Sequence, residues 1–168
     1  MKLFIGIDGG MHGGISIINE KEEIVNVYAM PIIKGDKNEF DIVILSELFR
    51  TTFLGEHMLT EFHVFLEKAH ARPISGVKQC FVTGFGYGMM QALLVAYGKG
   101  FELIEPKRWQ KEIFKGLNMD NTKEASVMFC KRKYPKIHFE SFGKAFTDGL
   151  TDATCIALYG KRLSEGKL

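Results

Sequence analysis

A short segment near the start of the chain limits the possible folds more than any other. Residues 3–14 read LFIGIDGGMHGG, and Leu3, Phe4, Ile5 and Ile7 put apolar side chains on both faces of an extended segment. A strand apolar on both faces belongs in the middle of a sheet that is covered on both sides. This one ends in Asp8, followed at once by Gly9 and Gly10. Holding a carboxylate at such a place is costly, because burying an unpaired charge is strongly unfavourable. The glycines allow a tight turn and a close approach by something else. Taken alone, the segment reads equally well as a strand-to-turn junction whose Asp caps the turn.

The same device recurs. Phe62–Glu67, FHVFLE, is apolar on both faces and also terminates in a carboxylate. Between the two, Ile15–Ile18 and Glu23–Tyr28 alternate as strands with a turn at Asn19–Glu22, so the first three strands form an antiparallel meander. Met30–Phe40 reads as a polar loop, and Asp41–Thr52 as a helix with Ile42, Leu45, Leu48 and Phe49 at helical spacing. Residues 68–84 read as a loop. Gly86–Tyr97 reads as a helix opened by Gly84, Gly86 and Gly88 and closed by Gly98. Phe101–Glu105 is a short strand, and Pro106 opens a helix that stops at Gly116. Asn121 caps a further helix reaching Tyr134, before Pro135. Phe146–Gly160 is the last helix. This order predicts one α/β domain over residues 1–168, with a mixed five-stranded sheet (the meander plus two parallel strands) flanked by helices.

A right-handed crossover makes the strands ending in Asp8 and Glu67 parallel, which sets the two acids side by side at one sheet edge. The final helix adds Asp148 and Asp152, four apart and therefore on one face. Cys155, Ile156 and Tyr159 continue that face as an apolar stripe, so the acids extend the side that packs on the sheet. Gly149, Ala153 and Ala157 beside it permit close packing. At roughly 5–8 Å, each carboxylate pair repels by about 2–3 kcal/mol at an effective dielectric near 20. Six such pairs rival the whole stability of a domain, about 5–15 kcal/mol. Either some of the acids are protonated or cations sit among them. Hard oxygen donors without His or Cys favour Mg²⁺ or Mn²⁺ over zinc, and two such ions suit phosphodiester hydrolysis. The competing account is four unrelated surface acids.

Composition narrows the setting. No run approaches the length of a membrane helix, and the N-terminus carries no signal peptide. Cys80, Cys130 and Cys155 are odd in number and lack C-x-x-C spacing, which predicts reduced thiols in a cytoplasmic protein. The net charge of +2 hides an asymmetry: residues 1–98 hold 8 Lys/Arg against 11 Asp/Glu, and residues 99–168 hold 14 against 9. A basic C-terminal half fits a nucleic-acid-binding face or a solvated Lys-rich surface equally well.

Several stretches, in order, resemble the RuvC-type Holliday-junction resolvases of the RNase H-like nuclease superfamily, especially the short bacteriophage-type members. They are GIDGG at 6–10, FLEKAHARP at 65–73, GVKQCFVTGFGYGMMQALL at 76–94, IEPKRWQK at 104–111, NTKEAS at 121–126 and DGLTDATCIALYG at 148–160. The resemblance implies an RNase H-like fold and an Mg²⁺-dependent endonuclease, with two ions per active site and Mn²⁺ as a substitute. It also implies a homodimer that nicks two strands of branched DNA symmetrically. Asp8, Glu67, Asp148 and Asp152 would be the catalytic and metal-binding tetrad. Asp148 and Asp152 stand four apart where the bacterial enzymes usually leave three, so which of the two matters more stays open. His70 and Arg72 occupy the place of an aromatic wedge near the junction centre. Lys107 and Lys111 match a basic pair that approaches the scissile phosphate, or they are simply the exposed face of a short helix. Lys78, Phe85 and Tyr87 surround a glycine-rich helix entry suited to the DNA backbone, with the aromatics able to stack on a base; Phe85 suits core packing equally. Trp109 reads as core, and Lys131, Arg132, Lys133 and Lys136 as a solvated cluster. The Gly86–Tyr97 helix, apolar on more than one face, is the candidate dimer surface.

Three other readings compete. GIDGG before a strand-turn-strand resembles the phosphate-binding hairpin of actin and sugar-kinase nucleotide-binding domains, which need a second similar domain. A related nuclease acting on flaps or RNA–DNA hybrids is a substrate variant. A DNA-binding module without catalysis is a third.

Overall fold

Strand β1, Lys2–Asp8, takes the centre of the sheet because five successive residues, Leu3–Ile7, are buried on alternating sides. The computed structural model describes residues 1–55, 60–70, 76–117 and 122–168. β2 (Gly14–Asn19) and β3 (Ile24–Ala29) follow as an antiparallel meander, and β4 (Ile32–Ile33) and β5 (Glu39–Phe40) form a separate two-stranded ladder. Helix α1 (Ile42–Leu54) leads to β6 (Glu61–Glu67), α2 (Val77–Ala96), β7 (Glu102–Ile104), α3 (Pro106–Ile113) and α4 (Thr122–Lys133). A 3-10 turn at Phe139–Phe142 precedes the closing helix α5 (Lys144–Ser164).

The main sheet has the order β3-β2-β1-β6-β7. β1 pairs antiparallel with β2 and parallel with β6, and β6 pairs parallel with β7. This is the expected mixed five-stranded α/β sheet. Period-two alternation divides its side chains between two cores. Leu3, Ile5, Ile7, Val64 and Leu66 join Leu45, Phe49 and Phe53 of α1 and Met90 and Leu94 of α2. Phe4, Phe65 and Ile104 join Trp109 and Ile113 of α3, Cys130 of α4, and Leu150, Cys155, Ile156 and Tyr159 of α5.

Three stretches depart from the sequence expectation. The polar loop at Met30–Phe40 contains the β4–β5 ladder, Ile32 opposite Phe40 and Ile33 opposite Glu39. Two-residue strands leave no alternation to read, and the fold fixes them at both ends through Met30 N–H to Gly13 O and Asp41 N–H to Pro31 O. Helix α2 starts at Val77, so the stretch expected to be loop is helical from there on. Its glycines suggest a helix entry, yet Gly86 is needed in mid-helix: a Cβ there would meet Gly9 O and the Phe40 ring. Helix α5 runs from Lys144 to Ser164, longer at both ends than expected. The Asn121 cap lies outside the described residues. The Asn19 turn is as expected, with Asn19 Oδ1 accepting from the N–H groups of Lys21 and Glu23.

Helix α5 lies against β1 almost backbone to backbone. A Cβ on Gly6 would collide with Ala153 O and Ala157 N. A Gly6→Ala variant should therefore lose about 2–3 kcal/mol through overpacking, or roughly 5–10 °C in Tm for a domain of this size. Thermal melts followed by the fluorescence of the single tryptophan test this; a variant as stable as the wild type would contradict the packing.

Candidate active site

The four acids singled out by the sequence meet at one rim. In the β1–β6 ladder the last pair is Ile7 opposite Leu66, so Asp8 and Glu67 end neighbouring parallel strands one step later. Alternation sends both to the α5 side of the sheet, since Asp8 follows Gly6 and Glu67 follows Phe65 by two residues. Asp152 precedes Ala153, the residue pressed on Gly6, and Asp148 lies one turn earlier on α5. Asp152 consequently sits in the electric field of Asp8, Glu67 and Asp148 together.

Three of the acids have specific company. Asp8 Oδ1 accepts the Gly10 N–H at 3.0 Å across the glycine turn. Glu67 Oε1 accepts the indole Nε1–H of Trp109 at 2.8 Å. Ser126, fully buried on α4, hydrogen-bonds Asp152, and its hydroxyl lies 3.1 Å from Thr151 Oγ1. Asp152 Oδ1 is shielded from solvent and has no hydrogen-bond partner among the described residues.

Burial pushes the Asp152 carboxyl well above the ordinary carboxylate range; the Ser126 hydrogen bond opposes this, and the charges of Asp8, Glu67 and Asp148 add to it. Burial likewise raises Asp8, against the Gly10 N–H. Both residues are only partly covered as a whole, but their carboxyl groups are enclosed by protein. An enclosed carboxylate oxygen without a donor, among donors that are all oxygen, suits a hard divalent cation. Among the described residues, no three His, Cys, Asp or Glu side chains hold a cation-binding arrangement as they lie. Glu67 is turned to Trp109 and Asp8 to Gly10.

The remaining candidates are spread around this rim. His70 is exposed, its Nε2 2.6 Å from Glu105 Oε2, and Glu105 Oε1 accepts from Lys68 Nζ at 2.7 Å. Lys68 first, then His70, holds the Glu105 carboxyl below its ordinary range. Lys107 and Lys111 are exposed on α3, on the side away from buried Trp109 and Ile113. Lys78 is exposed in the first turn of α2, whereas Tyr87 is half-buried and packs on the core. Arg72 lies outside the described residues. Phe85 is exposed and its ring tilts against Phe40 at 5.9 Å. Lys131 and Lys133 pair with Glu140 and Glu22, as a solvated cluster does.

Sequence reasoning missed Trp109 and Ser126 as partners of the acids. A buried tryptophan needs an acceptor for its N–H, so a polar partner for Trp109 was foreseeable, though not which one. Nothing in the sequence marks Ser126.

No protein-family model and no functionally described protein matches the chain by sequence; the likeness is in the fold. Thermus thermophilus RuvC in complex with a Holliday junction substrate is similar at TM-score 0.60 and 13% identity, over 99% of this chain and 98% of that one. A second structure of Thermus thermophilus RuvC gives 0.55 and 16%, over 98% and 97%. The yeast mitochondrial Holliday junction resolvase gives 0.56 and 16%, over 97% and 80%. The fold is RuvC-like.

The raised carboxyls have a consequence for stability without metal. Their folded-state pKa lies above the unfolded value of 3.8. The stability these two groups contribute is therefore fully present below that value and is lost as pH rises and they ionise. Asp152→Asn should raise the Tm in EDTA at pH 8, each 1 kcal/mol gained reading as roughly 2–4 °C, and the gain should shrink toward pH 4. Melts of both proteins across pH check this; a variant no more stable than the wild type at pH 8 would contradict it.

Proposed function

We propose that the chain is a metal-dependent, structure-specific DNA endonuclease that resolves Holliday junctions, working as a homodimer that places paired symmetric nicks. The observation that carries this reading is the convergence of Asp8, Glu67, Asp148 and Asp152 at one rim, with an enclosed Asp152 oxygen that no donor among the described residues satisfies. The RuvC-like fold supports it, since one solved likeness is described with a junction substrate.

The four acids would hold two Mg²⁺ ions, with Mn²⁺ able to replace them. When bound, the ions supply an activated water and charge stabilisation at the leaving oxygen of the phosphodiester. The chain's own groups prepare the place. The Gly10 N–H holds Asp8, the Trp109 indole holds Glu67, and Ser126 bonds Asp152. Lys107 and Lys111 project from the helix whose other face carries Trp109, and so offer positive charge to phosphates near the acids. Exposed Lys78 and rim-side His70 extend that contact surface, and the resemblance by sequence gives Arg72 a DNA-binding role as well. Tyr87 contributes only the part of its ring that the core leaves uncovered.

Helix α2 supports the dimer. Val77 and Phe81 are 89% and 73% exposed, and with Phe85 they form an apolar row at four-residue spacing. Phe81 and Phe85 stack on each other at 6.4 Å. A second copy covering this row would bury it and place two active sites on one junction.

The test is cleavage of four-way, three-way, flap and RNA–DNA hybrid substrates side by side, with Mg²⁺ and with EDTA. The four-way junction should be cut into paired nicked duplexes only with Mg²⁺. Asp8→Asn and Glu67→Gln should each slow cleavage by at least roughly a thousandfold, the loss of several kcal/mol at the transition state, and still bind the junction in EDTA. Full activity in either variant would refute the proposal, and preference for flaps or hybrids would reassign the substrate.

A further inference from the structure

Trp109 is the only tryptophan of the chain, and it is fully buried. Its ring packs edge-on against Phe114 at 5.4 Å. The indole N–H could be satisfied inside the protein by any backbone carbonyl. It donates instead to Glu67 Oε1 at 2.8 Å, across 42 residues of sequence. The helix behind it is well anchored: Pro106 opens α3, Ile113 is buried with Trp109, and α3 packs on α5, the helix that carries Asp148 and Asp152. Trp109 thus joins the strand bearing one acid to the helix bearing two others.

Glu67 and Asp152 lie in each other's electric field, with Asp8 and Asp148 beside them, so a carboxylate at Glu67 has like charges for neighbours. A hydrogen bond to an ionised acceptor is about twice as strong as one between neutral groups, and a buried ring cannot follow the carboxylate if it leaves. We infer that Trp109 is a positioning residue, whose indole N–H fixes the orientation in which Glu67 meets a divalent cation. The inference rests on the nuclease reading of the acid rim and adds to it a residue outside the tetrad.

The experiment measures Mn²⁺ affinity from the loss of the free-ion electron paramagnetic resonance signal, alongside junction cleavage. It compares the wild type, Trp109→Phe, and a protein carrying 3-benzothienylalanine at position 109, which keeps the shape of the ring and lacks the N–H. Groups that orient metal ligands typically change affinity by about 10–100-fold when removed. Both altered proteins should bind Mn²⁺ that much more weakly, and the benzothienyl protein should melt in EDTA close to the wild type. Affinity within twofold of wild type in the benzothienyl protein overturns the inference, because packing would then explain any effect of Trp109→Phe. A wild type that binds and cleaves, with unaltered affinity in the variants, defeats the positioning role alone. A wild type that binds no Mn²⁺ defeats the nuclease reading and the inference with it.

Discussion

Helix α5 can rest on strand β1 only because Gly6 has no side chain where Ala153 and Ala157 bring the helix backbone against the sheet. That contact sets the geometry of the acid rim. It draws Asp152 down beside the end of the strand, where Asp8 sits, and closes protein around both carboxyls. Gly149 repeats the arrangement one turn earlier, where a Cβ would collide with His12 O and Gly13. The glycine turn after Asp8 is thereby pinned beneath the start of the helix that carries Asp148. A side chain at either glycine would separate the helix from the sheet and let water in among the acids.

Enclosure makes the rim expensive, and the cost bears on function. Burial favours protonated carboxyls at both Asp8 and Asp152, and the charges of the neighbouring acids add to it at Asp152. A domain selected for stability alone would replace them, and local rules broken without local compensation are expected at functional sites. The compensation visible in the structure is partial: a backbone N–H for Asp8, an indole for Glu67 and a hydroxyl for Asp152. Donors of this kind hold carboxylates in place without neutralising them. The charge left over is what a divalent cation would offset.

Much of this could be read from the residues. β1 and β6 are unmistakable because apolar side chains on both faces suit only interior strands, and Asp8 and Glu67 stand out as the polar residues that end them. The i, i+4 spacing of Asp148 and Asp152, continued by Cys155, Ile156 and Tyr159, marks a buried stripe of α5, but the residues pressed on β1 are Ala153 and Ala157, and Cys155 instead meets Cys130 of α4. Local reading failed where the long-range fold decides. Gly86 resembles a helix entry but serves the approach of α2 to Gly9, and Ile32–Ile33 forms a strand only because Glu39–Phe40 returns beside it. The Trp109–Glu67 and Ser126–Asp152 contacts join distant segments with no shared periodicity, so no local pattern announces them.

Diffraction from crystals of the wild-type protein soaked in Mn²⁺, recorded at the manganese absorption edge, tests the central claim most directly. The account predicts anomalous density at the rim, coordinated by carboxylate oxygens of Asp8, Glu67 and Asp152. Saturating Mn²⁺ that leaves the four acids as they are, with density absent or located elsewhere on the protein, would contradict it.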